Sequence, residues 1–103
     1  MKVTEMSIAM FEASALSEEA FTHEAHVYMG WLYIREFGAD EGLLRFDAAL
    51  RRLVKVLGAE SIYSAMTTWL FMKLIAARMQ PGQGWTEFRQ DNGDLFEGRP
   101  KKS

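Results

Sequence analysis

The most regular pattern in the chain lies in residues 41–57, which read EGLLRFDAALRRLVKVL. Apolar side chains recur there at spacings of three and four, through Leu43, Phe46, Leu50, Leu53, Val54 and Leu57. Oppositely charged residues four positions apart form two pairs on the other side, Glu41 with Arg45 and Asp47 with Arg51. This spacing predicts an amphipathic helix over Glu41–Leu57 with one face in a core.

Outward from this segment, glycines and capping residues divide the chain into further helices. Gly38 is predicted to end the second helix. The third helix is predicted to be capped at its start by Asp40 and to end at Gly58. Ser17 is the predicted cap of the second helix. The other predicted helices are Met6–Ala13, Glu18–Phe37, Ser61–Met79 and Trp85–Gln90, the last capped by Thr86. The fold class is therefore predicted to be all-α, a compact and largely antiparallel bundle of four main helices plus a short C-terminal helix.

Composition limits the function classes. The 103 residues are 49% hydrophobic and include no cysteine, which excludes a disulfide framework, cysteine-based zinc sites and thiol nucleophiles. Residues 1–96 are predicted to form a single helical domain, and residues 97–103 a disordered basic tail with three of the 12 basic residues. Residues 1–98 carry the other 9 basic residues and all 14 acidic ones. An acidic body disfavours binding to nucleic acid or to anionic lipid.

The fourth predicted helix is the most apolar part of the chain. Its uncharged run, Ser61–Met72, falls short of the roughly 20 residues that cross a bilayer, so no membrane span is expected. The N-terminal residues do not read as a targeting segment, and we expect a cytoplasmic protein. Residues 69–77 are apolar nearly all round. Such a helix is either central in the bundle or half covered by a partner chain, and the second arrangement favours a homodimer.

The two histidines of the chain, His23 and His26, stand one turn apart in the second predicted helix. Glu19, four residues before His23, and Tyr33 extend the same stripe of this predicted helix. His23, His26 and Glu19 are candidate ligands for a divalent metal ion, although no third histidine exists to complete a typical site. The alternative is structural, with partly buried histidines that hydrogen-bond to their neighbours.

A polar cluster opens the fourth helix and consists of Tyr63, Ser64, Thr67 and Thr68. These hydroxyls either enter one cavity with the histidines or serve as caps and interior hydrogen-bonding groups. The predicted ligand-binding pocket is bordered by His23, His26, Tyr33, Tyr63 and Thr67. The chain has no phosphate-binding loop, dinucleotide fingerprint, nucleophile elbow or H-E-x-x-H motif.

Several short segments resemble a family of small bacterial all-helical proteins with an F-x-H-x-x-H element and a later Y-H-x-T motif. The matching segments are Phe21-Thr22-His23-Glu24-Ala25-His26, Trp31-Leu32-Tyr33, Leu50-Arg51-Arg52 and Tyr63. Ser64 stands where the family motif has a third histidine. The resemblance implies a helical domain in which the histidines face one polar pocket, and it implies no particular reaction.

Three functions follow as hypotheses. The first is a small cytoplasmic module that binds a small-molecule ligand or a partner helix. The second is a metal-dependent or general acid–base enzyme that uses His23 and His26, with Glu19 or Glu24 as the third group. The third is a purely structural interaction protein, which a dimer seam on the fourth helix without an enclosed cavity would favour.

Overall fold

A computed structural model describes residues 2–96, with Ile62 described by its backbone alone. Helices make up this part of the chain, with no strand among the described residues, and the all-α prediction is confirmed. The helices are α1 (Ile8–Glu12), α2 (His23–Phe37), α3 (Ala39–Val56), α4 (Ala65–Arg78) and α5 (Trp85–Asp91). Short 3-10 turns stand at Val3–Glu5, Glu60–Ile62 and Gly93–Phe96. The predicted basic tail 97–103 lies outside the described residues.

The start of α2 differs from the prediction. The helix begins at His23, because the Thr22 hydroxyl accepts a hydrogen bond from the amide of Ala25 at 3.2 Å and caps it. Ser17 also acts as a cap, but only for the turn that follows it, where its hydroxyl accepts from the amide of Ala20 at 3.1 Å. The predicted helix over Glu18–Phe37 is therefore interrupted before its histidines.

The connection between α2 and α3 is the single residue Gly38, whose φ of 87° favours glycine. Gly38 also occupies the N-cap of α3, so the predicted cap at Asp40 is wrong. Gly42 lies against the backbone of Tyr33 and Ile34, with no room for a side chain. Gly42 meets Tyr33 and Ile34, whereas Phe46, one turn further along α3, meets His26 about two turns earlier in α2, so the two helices run antiparallel.

The centre of the bundle is α2, whose residues from Val27 to Ile34 are all buried. Around it pack α1, α3, α4 and the turn at Gly93–Phe96. Of the two arrangements predicted for the apolar α4, the central one is wrong, because its buried residues are only Thr68, Met72 and Ile75. Gly30 allows this crossing, since Met72 and Ile75 pack directly against its backbone.

The last two helices are each capped by a hydrogen bond between residues three positions apart in the sequence. Ser64 caps α4, where its hydroxyl accepts from the amide of Thr67 at 3.2 Å, and residues 60–62 form a separate turn. Gly84 precedes α5 and donates its amide to the Glu87 carboxylate at 3.0 Å, so Thr86 is not the cap. Among residues 2–96 we find no helix with the length and apolarity that a bilayer crossing requires.

Candidate functional site

A cavity of about 300 Å³ lies between the N-terminal turn of α2, the C-terminal half of α3 and the start of α4. We call it the histidine cavity, because His23 and His26 form one wall. The opposite wall is apolar and comes from the C-terminal end of α3, through Leu50, Val54 and Leu57. Helix α4 contributes Thr67 and Thr68. The lining is therefore mainly apolar, with its polar groups concentrated on α2 and α4.

A smaller space of about 160 Å³ continues from this cavity between α2 and α4. It shares both histidines, Thr67 and Thr68 with the histidine cavity and extends towards Phe71. The imidazoles and the two threonines thus stand where the two spaces meet.

His23 connects the cavity to the C-terminal end of the described chain. Its Nε2 lies 2.7 Å from the carbonyl oxygen of Leu95, which can only accept a hydrogen bond. His23 therefore carries a proton on Nε2 and donates it to Leu95. The ring meets Phe71 edge-on at 5.5 Å between centroids, so the His23 side chain is fixed by contacts on two sides.

His26 has a different environment from His23, although the two are one turn apart. Its ring lies between Phe21 and Phe46, with centroid distances of 5.3 and 5.4 Å. Burial, with a smaller contribution from the positive charge that His23 can carry, lowers the pKa of His26 to about 4. His26 is therefore neutral at neutral pH. Within residues 2–96 neither ring nitrogen has a hydrogen-bond partner.

The residues of the polar cluster both line the cavity and provide a helix cap, the two roles predicted for their hydroxyls. All four residues line the histidine cavity, and Ser64 is also the α4 cap. Thr68 is 4% exposed, and its hydroxyl makes no hydrogen bond with the described part of the chain. Thr68 lines both spaces, and its oxygen is not among the solvent-sealed unpaired atoms of residues 2–96, so the hydroxyl is open to the cavity.

Tyr63 is held at the cavity edge by a network on α3. Its hydroxyl donates to Asp47, and Arg51 donates to the other carboxylate oxygen at 3.0 Å while its guanidinium lies over the Tyr63 ring. Burial and the bond to Asp47 raise the pKa of the Tyr63 phenol. Because its hydrogen is committed to Asp47, Tyr63 contributes mainly its ring and its position to the cavity.

Tyr33 does not border this cavity, contrary to the prediction. It is fully buried two turns beyond His26, packs edge-on against Phe11 and Phe46, and donates its hydroxyl to Glu12 at 3.0 Å. Burial, followed by the bond to Glu12, raises the pKa of Tyr33. Its role is to join α1 to α2.

Glu19 is also separated from the histidines, because it precedes α2 instead of continuing it. It lines a wider and more polar cleft of about 990 Å³, beside the N-terminal segment and α5. Glu24 faces the same cleft and pairs with Arg89 at 2.7 Å. Residues 2–96 contain no group of three His, Asp or Glu side chains close enough to hold a metal ion. The predicted alignment of Glu19 with His23 and His26 is therefore wrong.

The α3 wall is the part of the cavity that sequence reasoning missed. Leu50, Val54 and Leu57 read as core positions, because apolar side chains at helical spacing do not distinguish a packed core from a cavity wall. The available signal was the polar cluster that begins at Tyr63-Ser64, and it identified only the α4 side of the cavity.

Comparisons of the chain with protein-family models, with curated proteins and with solved structures find no match.

Proposed function

We propose that this chain is a cytoplasmic binding module that holds a small molecule in the histidine cavity. The observation that carries the proposal is the pair of polar side chains, His26 and Thr68, that face the cavity without a partner in residues 2–96. The only side-chain nitrogen or oxygen in residues 2–96 that is both shut off from solvent and unpaired is Nε1 of Trp31, so the polar atoms of His26 and Thr68 are open to the cavity. A bound molecule with one polar group satisfies them.

The size of the cavity supports the same function. Sites for small molecules have volumes of about 300–1,000 Å³ and are lined mainly by apolar side chains with a few polar groups. The histidine cavity lies at the lower limit of that range, at about 300 Å³. It suits a compact ligand rather than a nucleotide or a peptide helix.

The test is an NMR titration of the ¹⁵N-labelled protein with 2-naphthol as the probe. We expect saturable shift changes at the amides of His26, Leu50 and Thr68. A Val54→Trp variant fills the cavity from the α3 wall and should abolish the changes.

The matched control is Val56→Trp, on the same helix, where the side chain is 67% exposed and outside the cavity. This variant should bind 2-naphthol like the wild type. No saturable change in the wild type, or equal binding by Val54→Trp once its circular dichroism confirms folding, overturns the proposal.

We further propose that the module is a homodimer that pairs through α4. The outer face of α4 consists of Met66, Trp69, Leu70 and Lys73, spaced by three and four residues and all exposed. Met66 is 82% and Leu70 57% exposed, which is unusual for adjoining large apolar residues. In a two-fold dimer the same face meets itself, so these apolar side chains cover one another without a complementary surface elsewhere.

A further inference from the structure

The charge of the histidine cavity restricts what it can hold. The one ionisable residue among its lining side chains besides the histidines and Tyr63 is Glu18, which is exposed at the rim. The guanidinium of Arg51 is paired with Asp47, lies over the Tyr63 ring and does not line the cavity. Within the described chain the cavity therefore offers an anion no ammonium or guanidinium partner.

His26 does not supply a positive charge at the centre of the site. The His26 ring is enclosed by Phe21 and Phe46, and its lowered pKa keeps it neutral at neutral pH. The hydrogen on Nε2 of His23 is directed to the Leu95 carbonyl, away from a ligand. A carboxylate or phosphate in this cavity loses its hydration without gaining an ammonium or guanidinium partner.

A cationic ligand is disfavoured for a related reason. Glu18 is surrounded by water, which screens its attraction for a buried ammonium group. The polar groups inside, His26 and Thr68, are neutral. Their hydrogen bonds suit an uncharged hydroxyl, amide or ring N–H, because each of them can both donate and accept.

The volume of the histidine cavity limits the size of the apolar part of its ligand. An engineered apolar cavity of about 150 Å³ holds one benzene molecule. The histidine cavity has about 300 Å³, which gives room for two fused rings against Leu50, Val54 and Leu57.

We infer that the histidine cavity selects an uncharged, mainly apolar molecule of about two fused rings that carries one hydrogen-bonding group, which meets His26 and Thr68. This inference rests on the proposed function and specifies its ligand class.

The experiment compares four probes of one shape at pH 7.5: 2-naphthol, naphthalene, 2-naphthoate and 2-(aminomethyl)naphthalene. Dissociation constants are measured by NMR titration of the wild type and of Thr68→Val, which keeps the shape of the side chain and removes the hydroxyl. We expect 2-naphthol to bind about 3- to 10-fold tighter than naphthalene, the effect of one neutral hydrogen bond. Both charged probes should bind at least about 10-fold more weakly than 2-naphthol.

In Thr68→Val the advantage of 2-naphthol over naphthalene should shrink, while naphthalene, which makes no hydrogen bond, should bind no more weakly than to the wild type. Tighter binding of 2-naphthoate or of the amine overturns the inference and leaves the binding module in place. Equal binding of 2-naphthol and naphthalene also overturns it, because the polar groups then recognise nothing. If none of the four probes binds, the proposed function itself fails.

Discussion

His26 carries its imidazole between two phenyl rings, and this environment penalises the protonated form. The pKa of His26 is about 4 in the folded protein, against an ordinary value of 6.5. Between these two pH values the unfolded chain binds a proton that the folded chain does not. The free energy of unfolding should therefore be highest above pH 6.5 and should fall as the pH is lowered towards 4.

We expect a loss of at most about 3 kcal/mol across this window, measured by urea unfolding at several pH values. In His26→Gln the dependence between pH 6.5 and 4 should be flatter. Asp94 does not affect this comparison, because its hydrogen bond to Arg78 lowers its pKa below 3.8. The stability that Asp94 contributes is therefore lost only at a pH below this window. Parallel curves for the wild type and His26→Gln would contradict this role of His26.

The histidines also mark the limit of prediction for single residues. Their common face follows from a spacing of three, which any helix over them preserves. Tyr33 lies seven residues beyond His26 and points in nearly the same direction, yet its neighbours are Phe11 and Glu12 of α1. Direction on a helix can be read from spacing, whereas the identity of the packed neighbour depends on the tertiary fold.

At Gly42, α3 lies directly against the backbone of α2. A Cβ atom there would lie 2.7 Å from the Tyr33 carbonyl oxygen and 3.0 Å from the Ile34 Cα. These are backbone atoms, which can move only if the helices separate. Gly42→Ala should therefore lower the free energy of unfolding by about 1–3 kcal/mol, despite the better helix propensity of alanine.

Gly30→Ala provides the matched comparison at the crossing of α2 and α4. The closest atom to its added Cβ would be Sδ of Met72, at 2.8 Å, which belongs to a flexible side chain. The loss should be smaller than for Gly42→Ala in the same urea experiment. Gly93→Ala, with open space around its Cβ position, should change stability by no more than about 0.5 kcal/mol. A larger loss for Gly30→Ala would contradict this account.

The helix boundaries that local chemistry determines were predictable. The third helix and the turn at Gly38 follow from a strong periodicity and from the glycine, although the helix begins at Ala39 and not at the predicted Glu41. The start of α2 was not predictable in the same way, because both Ser17 and Thr22 are good caps and each caps the turn after it. Only the packing of the intervening residues decides which cap begins the long helix.

For the whole molecule, the outer face of α4 predicts self-association. Sedimentation velocity over a range of concentrations should detect a dimer. Leu70→Glu should convert it to a monomer, because a buried carboxylate without a partner opposes the contact. The control is Leu44→Glu, since Leu44 is equally exposed at 58% but lies on α3, and it should leave the dimer intact. A wild type that stays monomeric, or equal effects of the two variants, would contradict the dimer.

The cavity is the property that the sequence could indicate least. His23, Ser64 and Thr67 were identified as candidates from their residue types, but the space between them depends on how far α4 stands from α3. That distance results from the sum of many side-chain contacts, which no local pattern records.

The single-residue connection at Gly38 also bears on the order in which the chain assembles. Contact between Tyr33 and Gly42 closes a short loop, whereas contact between Gly30 and Met72 must close one more than four times as long. The second closure costs about 1 kcal/mol more chain entropy. Forming the α2–α3 hairpin thus costs less chain entropy than docking α4 on α2. The histidine cavity acquires its remaining wall only when α4 docks.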